Sequence, residues 1–134
     1  RNMRRPETFS FLGFTHYWGK SRNGYWVVKK KTASSRLKRS LKRIADWCRR
    51  KRHENLVVQW GVLSAKLRGH YNYYGVTGNF RLLNRFYEEV KSTWRKWLSR
   101  RSQRGYLSWE KMKEILGNLL LPSPKIVHSS YGKP

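Results

Sequence analysis

The stretch Leu67-Arg68-Gly69-His70-Tyr71-Asn72-Tyr73-Tyr74-Gly75-Val76-Thr77-Gly78-Asn79 decides how the rest of the chain is read. Upstream of it, Leu56, Trp60, Leu63 and Leu67 recur at the three- and four-residue spacing of one helix face, and the stretch prolongs that spacing to Tyr74. Gly75 and the Gly78-Asn79 step then release the chain. The spacing predicts an amphipathic helix from about Leu56 to Tyr74 with its aromatics crowded at the C-terminal end. Between Arg68 and Tyr74 stand three tyrosines, a histidine, an asparagine and an arginine. They offer π-faces, hydrogen-bond donors and a fixed cation, the groups that hold nucleic acid. The same residues equally suit a helix end packing tyrosines into a small core, because a buried tyrosine costs little once its hydroxyl has a partner.

Working outward, Lys29-Lys30-Lys31 leads into Thr32-Ala33-Ser34-Ser35, whose serines are candidate N-caps for a helix with apolar positions Leu37, Leu41, Ile44 and Trp47 or Cys48. Its other faces carry Arg36, Lys38, Arg39, Lys42, Arg43, Arg49, Arg50, Lys51 and Arg52, with Asp46 the single acid among them. Like charges at i,i+4 destabilise a helix, so this face calls for a phosphate-bearing partner rather than plain water. His53-Glu54-Asn55 separates it from the next helix. Beyond Asn79, Phe80, Leu83, Tyr87, Val90, Trp94 and Trp97 predict a further core-facing helix, with Arg81, Arg85, Lys91, Arg95 and Lys96 beside them. Ser99 to Gly105 reads as a basic loop. Ser108 caps a last short helix bearing Trp109, Met112, Ile115, Leu116 and Leu119, which Pro122 and Pro124 end.

At the other end, residues 1–7 are a basic lead-in without periodicity. Phe9 and Phe11 alternate, and the parity then switches to Leu12, Phe14, His16 and Trp18, which predicts a bulge or a close backbone approach near Gly13. Asn23-Gly24 is a turn signal between that strand and a second one at Tyr25 to Val28. The expected architecture is mostly α: an N-terminal β-hairpin over residues 1–32, helices over 33–122, three of them long and the fourth short, and a basic tail over 123–134 that lies loose or on a partner.

With 134 residues the chain is long enough for one modest core. Its 31 Lys+Arg against 7 Asp+Glu leave a net charge of +24, which repels itself unless a polyanion neutralises it. Nucleic acid is the first such partner. No apolar run approaches the length that crosses a bilayer, and no membrane partner is expected. Cys48 is the one cysteine, so neither an intrachain disulfide nor a cysteine zinc cluster can form, and a reducing intracellular setting fits, the cytoplasm of a bacterial-type cell or an organelle. The chain opens at Arg1 without a methionine or a hydrophobic leader, as expected of a portion of something longer.

Catalytic groups are sparse. Two-metal chemistry needs convergent carboxylates, whereas Glu7, Asp46, Glu54, Glu88, Glu89, Glu110 and Glu114 are scattered. His16, His53, His70 and His128 lack metal-binding spacing, and neither a phosphate-binding glycine loop nor a serine-nucleophile motif occurs. Neither a metal nor a catalytic residue is expected within the chain.

Two segments are familiar. Phe9-Ser10-Phe11-Leu12-Gly13-Phe14 resembles the last block of group II intron reverse transcriptases, the hairpin that follows the polymerase palm. The stretch from Leu67 to Asn79 resembles the signature of their maturase-specific thumb, or X domain. The two occur in the family's order, and the likeness extends over roughly residues 7 to 122. The resemblance implies a hairpin that meets the primer end through Phe11, Leu12, Gly13 and Phe14. It also implies a thumb-like three-helix bundle that closes on template–primer duplex and intron RNA. Together with the charge pattern it makes Lys29, Lys30, Lys31, Arg36, Lys38, Arg39, Lys42, Arg43, Arg49, Arg50, Arg68, His70, Tyr71, Asn72, Tyr73, Arg81, Arg85 and Arg95 the expected RNA contacts.

The family's Tyr-x-Asp-Asp block, fingers, palm and Cys/His-rich endonuclease domain are not in this sequence, so Mg2+ and catalysis are expected in a palm outside it. Three readings stay open: the RNA-binding part of a reverse transcriptase and maturase that partners a fingers–palm portion, a stand-alone basic RNA-binding or RNA-chaperone protein without polymerase activity, or, well behind them, a membrane-active cationic helical protein.

Overall fold

A computed structural model describes residues 9–101 and 108–128, apart from the side chains of Phe9, Trp109 and Met112. The basic lead-in, residues 102–105 of the basic loop and the last residues of the tail lie outside them. The order is β1 (Phe9–Phe11), β2 (Phe14–Lys20), β3 (Trp26–Thr32), α1 (Ser34–Arg50), α2 (Leu56–Tyr74), α3 (Phe80–Leu98) and α4 (Trp109–Asn118). The fold is mostly helical, with three long helices and a short fourth following the strands, as the sequence predicts.

The parity switch at Gly13 is a chain reversal and not a bulge. Leu12 (φ 54°) and Gly13 (φ 86°) both adopt positive φ, the requirement of a two-residue hairpin turn, and Phe11 comes to face Phe14. A reversal and a bulge change side-chain parity alike, so the alternation alone could not separate them. The hairpin thereby becomes a three-stranded antiparallel sheet in the order β1-β2-β3. At its far end Gly24 (φ 87°) closes the turn by donating its N–H to the Ser21 carbonyl at 2.9 Å. β3 also runs four residues further than expected, because β2 offers it partners from Lys20↔Trp26 to Phe14↔Thr32. Lys29, Lys30 and Lys31 are therefore strand residues.

Ala33 occupies the N-cap position of α1 and supplies no side-chain cap, which corrects the expectation for Ser34 and Ser35. The chain enters this helix directly from β3, and the Ala33 N–H is held by the Gly13 carbonyl at 2.9 Å, so the cap position falls before the serines. Asn55 caps α2, its Oδ1 accepting from Val57 N at 2.8 Å, and Ser108 caps α4 as expected.

α3 packs most closely on α1 and also touches α2. The core unites Leu37, Ile44 and Cys48 from α1 with Leu63, Leu67, Tyr71 and Tyr74 from α2. From α3 come Leu83, Phe86, Val90, Trp94 and Leu98. Phe86 and Leu98 are the fully buried positions, the expected Tyr87 and Trp97 pack against the core half-buried, and Phe80 is exposed. A ladder of threes and fours fixes a helix face only to within one residue. α2 is less one-sided than its leucines suggest: Val57, Val58 and Tyr73 are exposed whereas Gln59, Ser64 and His70 are buried.

Two buried amides join the helices. Gln59 Oε1 accepts from Trp94 Nε1 at 3.0 Å while its Nε2 donates to the Glu54 carbonyl at 2.8 Å. Asn79 Oδ1 accepts from Thr32 N at 2.8 Å, and its Nδ2 donates to Thr32 Oγ1 at 2.8 Å and to the Tyr74 carbonyl at 2.7 Å. The end of the sheet is thus fastened to the α2–α3 junction.

The tail is not loose as far as His128. Trp60 Nε1 donates to the Leu120 carbonyl at 2.7 Å and the Tyr71 hydroxyl to that of Pro122 at 2.8 Å, while Leu121 is buried. Val127 N and His128 N both donate to the Gly75 carbonyl, at 2.7 and 2.8 Å. Pro122 and Pro124 keep the segment extended, so its carbonyls are left to accept from α2. A Cβ at Gly75 would collide with the carbonyl oxygens of Tyr71 and Lys125, which is why glycine stands there. Among the described residues no helix is long and apolar enough to cross a membrane.

Candidate nucleic-acid interface

The two familiar segments meet in space. The Tyr73 hydroxyl donates to the Leu12 carbonyl at 2.6 Å. The Phe14 ring stacks on Tyr73 at 5.5 Å between centroids and meets Tyr74 edge-on at 5.2 Å. A Cβ on Gly13 would stand 3.1 Å from the Tyr74 hydroxyl and 3.3 Å from Arg36 Nη1. The tight turn is therefore seated on the end of α2, with the first cation of α1 beside it. Phe11 and Leu12 remain exposed at its tip and Phe14 is buried beneath it.

From that corner α1 extends a cationic surface. At 100° per residue, Lys38, Arg49, Lys42, Arg39, Arg50, Arg43 and Arg36 fill roughly half the circumference, opposite Leu37, Ile44 and Cys48. All seven are exposed. Among the described residues the one ion pair on this helix is Lys42–Asp46, at 3.4 Å and open to water, so it hardly lowers the potential of the face. Cys48, on the inner side, has its thiol pushed up to about 12 by burial, which leaves it un-ionised and inert.

The stretch from Leu67 to Asn79 divides between core and surface. Arg68, Asn72 and Tyr73 face outward and, with Lys125 and Ser123 of the tail, Arg68 and Asn72 border a cleft of about 320 Å³. His70 and Tyr71, expected among the RNA contacts, are buried, although Tyr71 also lines the floor of that cleft. Helical spacing from Leu63 and Leu67 carries both inward, where Tyr71 is 1% exposed and the His70 ring lies flat on Phe86 with centroids 3.7 Å apart. Burial holds the imidazole down to about 4, so at neutral pH His70 is uncharged and no phosphate ligand. Among the described residues its Nε2 has no hydrogen-bond partner. Burial likewise raises the Tyr71 hydroxyl above its ordinary value.

The remaining expected contacts are dispersed. Strand alternation sends Lys30 to one side of the sheet, over the Phe14 ring at 5.4 Å, and Lys31 to the other, over Tyr17 at 5.3 Å. Lys29 shares the side of Lys31, where the residue covers Gly78. Arg81 borders a crevice of about 290 Å³ with Tyr17, Lys31 and Gly78. Arg85 is paired with Glu89 at 2.9 Å, and Arg95 is half-buried. Sequence reasoning passed over Trp18 and Trp26, both exposed on the sheet; the alternation along β2 and β3 was the available signal.

Among the described residues no three His, Cys, Asp or Glu side chains gather closely enough to hold a metal ion. The arrangement offers cations, amides and rings for binding. Compared with known protein families, with curated proteins and with solved structures, the chain matches none of them.

Proposed function

We propose that this chain is the RNA-binding thumb and maturase portion of a group II intron-type reverse transcriptase, which grips template–primer duplex and structured intron RNA. The observation that carries the reading is the Tyr73–Leu12 contact, which joins the two family-like segments at one corner, next to Arg36 and the cationic face of α1. Lysines and arginines along that face displace counterions from backbone phosphates and give an affinity that falls steeply with salt. Phe11 and Leu12, held at the tip of a rigid turn, meet the primer end. Carboxylates and Mg2+ for phosphoryl transfer belong to a fingers–palm portion outside this chain.

Binding of an RNA duplex measured across a salt series tests this. Arg39→Ala/Arg43→Ala is expected to weaken binding on all sequences and to lower the slope of log K against log salt by about 1.5 to 2. Unchanged affinity at low salt in the variant would remove α1 from the interface. Addition of a palm bearing paired aspartates is expected to yield primer extension; RNA binding without such cooperation would point to a stand-alone RNA-binding protein.

A further inference from the structure

The sheet carries two large rings, Trp18 and Trp26, that stay exposed on its surface. Cross-strand partners share a face, so the register Lys20↔Trp26 and Trp18↔Val28 brings these four side chains to one side. Trp26 is 61% exposed, Trp18 45% and Val28 43%. Large apolar rings held on rigid strands and left in water are the informative exception to burial. The two tryptophans are diagonal neighbours, about 7 to 8 Å apart at the backbone, and present two successive π-faces.

The charge around these rings selects what covers them. Lys20 Nζ stands 4.9 Å from the Trp26 centroid, and Lys30 lies further along the same face, over Phe14. Between Glu7 and Asp46 the sequence contains no acid. Rings beside lysines, with no acid nearby in sequence, suit a partner that is planar and anionic. A duplex hides its base faces in its own stack and can offer α1 only phosphates, whereas an unpaired strand offers bases to rings and phosphates to lysines at once.

We propose that the Trp18–Trp26 face of the sheet binds unpaired nucleotides by stacking, with Lys20 and Lys30 meeting their phosphates, as a second site distinct from the duplex-binding face of α1. The inference rests on the RNA-binding reading only in taking a nucleic acid as the occupant. An acidic protein surface is the rival occupant, and it would make no use of a base.

The test compares a labelled twelve-nucleotide oligouridylate with a blunt RNA duplex of the same length, both binding the whole chain by fluorescence anisotropy. Trp18→Ala/Trp26→Ala is expected to weaken oligouridylate binding at least tenfold and to leave duplex binding within twofold. Trp18→Phe/Trp26→Phe, which keeps a ring at each position, retains most of the affinity and guards against misfolding, checked by circular dichroism. Wild-type affinity of the alanine variant for oligouridylate overturns the proposal, as does an equal loss on both ligands. If the wild type holds oligouridylate through the tryptophans but ignores duplex, the platform stands and the thumb reading falls. If duplex binding stands and the tryptophans do not matter, the platform alone falls.

Discussion

The Tyr73 hydroxyl and the Leu12 carbonyl, 61 residues apart in the chain, are joined by a hydrogen bond of 2.6 Å. Leu12 is the one non-glycine residue with positive φ among those described. A leucine in that region is strained, and the bond from Tyr73 helps to hold it there. The exposed tip of the turn is thereby fixed in orientation by the end of α2.

Tyr73→Phe keeps the stacked ring on Phe14 and removes only the donor. Stability should fall by about 1 kcal/mol in urea unfolding, and amide exchange at Leu12 and Gly13 should quicken. Gly13→Ala should cost more, because its φ of 86° disfavours any side chain and the new Cβ would press on the Tyr74 hydroxyl. Equal exchange rates in Tyr73→Phe and wild type would show that the turn holds itself.

Asn79→Ala strips three hydrogen bonds at once and leaves the Thr32 amide without its acceptor in a buried place. A loss of about 2 to 4 kcal/mol is expected. Asn79→Asp restores the acceptor but not the two donors, so it should recover only part of the stability at any pH. Full recovery would mean that the Thr32 amide bond is the only one of the three that matters.

Gln59→Leu has nearly the right volume but leaves Trp94 Nε1 without its acceptor and the Glu54 carbonyl with only the longer bond from Arg101 Nη2, at 3.3 Å. Destabilisation of about 1 to 3 kcal/mol is expected, with a shift in Trp94 fluorescence. Trp94→Phe in the same background should then cost less than it does alone, since the orphaned N–H goes with it.

The His70 imidazole titrates at about 4 in the fold and at 6.5 when free of it. Between those values the unfolded chain binds a proton that the folded chain refuses, so stability rises with pH across that window. The contribution is whole above pH 6.5 and fades as pH falls through 4, a change on the order of 3 kcal/mol. His70→Phe, stacked on Phe86, should flatten this part of the profile in thermal melts between pH 4 and 7. An unchanged slope in that variant would assign the acid sensitivity to another group.

Gly75→Ala should free the tail from α2, because the added Cβ lies where the Lys125 carbonyl and Val127 amide now sit. Proteolysis within 119–128 should accelerate, and Trp60 should become more accessible to quenchers.

The sequence by itself determined the number, order and approximate span of the long helices, the charge on α1, the cap at Ser108 and the core role of Cys48. All of these follow from periodicity and residue chemistry acting within a few turns of chain. Only the tertiary structure decided between reversal and bulge at Gly13, because both give the same parity and the choice rests on contacts with Tyr73, Tyr74 and Ala33. It also divided the signature, sending Tyr71 and His70 inward and leaving Arg68, Asn72 and Tyr73 outside. A helix turns every residue past every direction, and which side is interior is set by where α1, α3 and the tail come to lie. The exposed Trp18 and Trp26 arose the same way: alternation put them on one face with Phe14, and the packing of the described helices buries Phe14 while leaving the two tryptophans exposed.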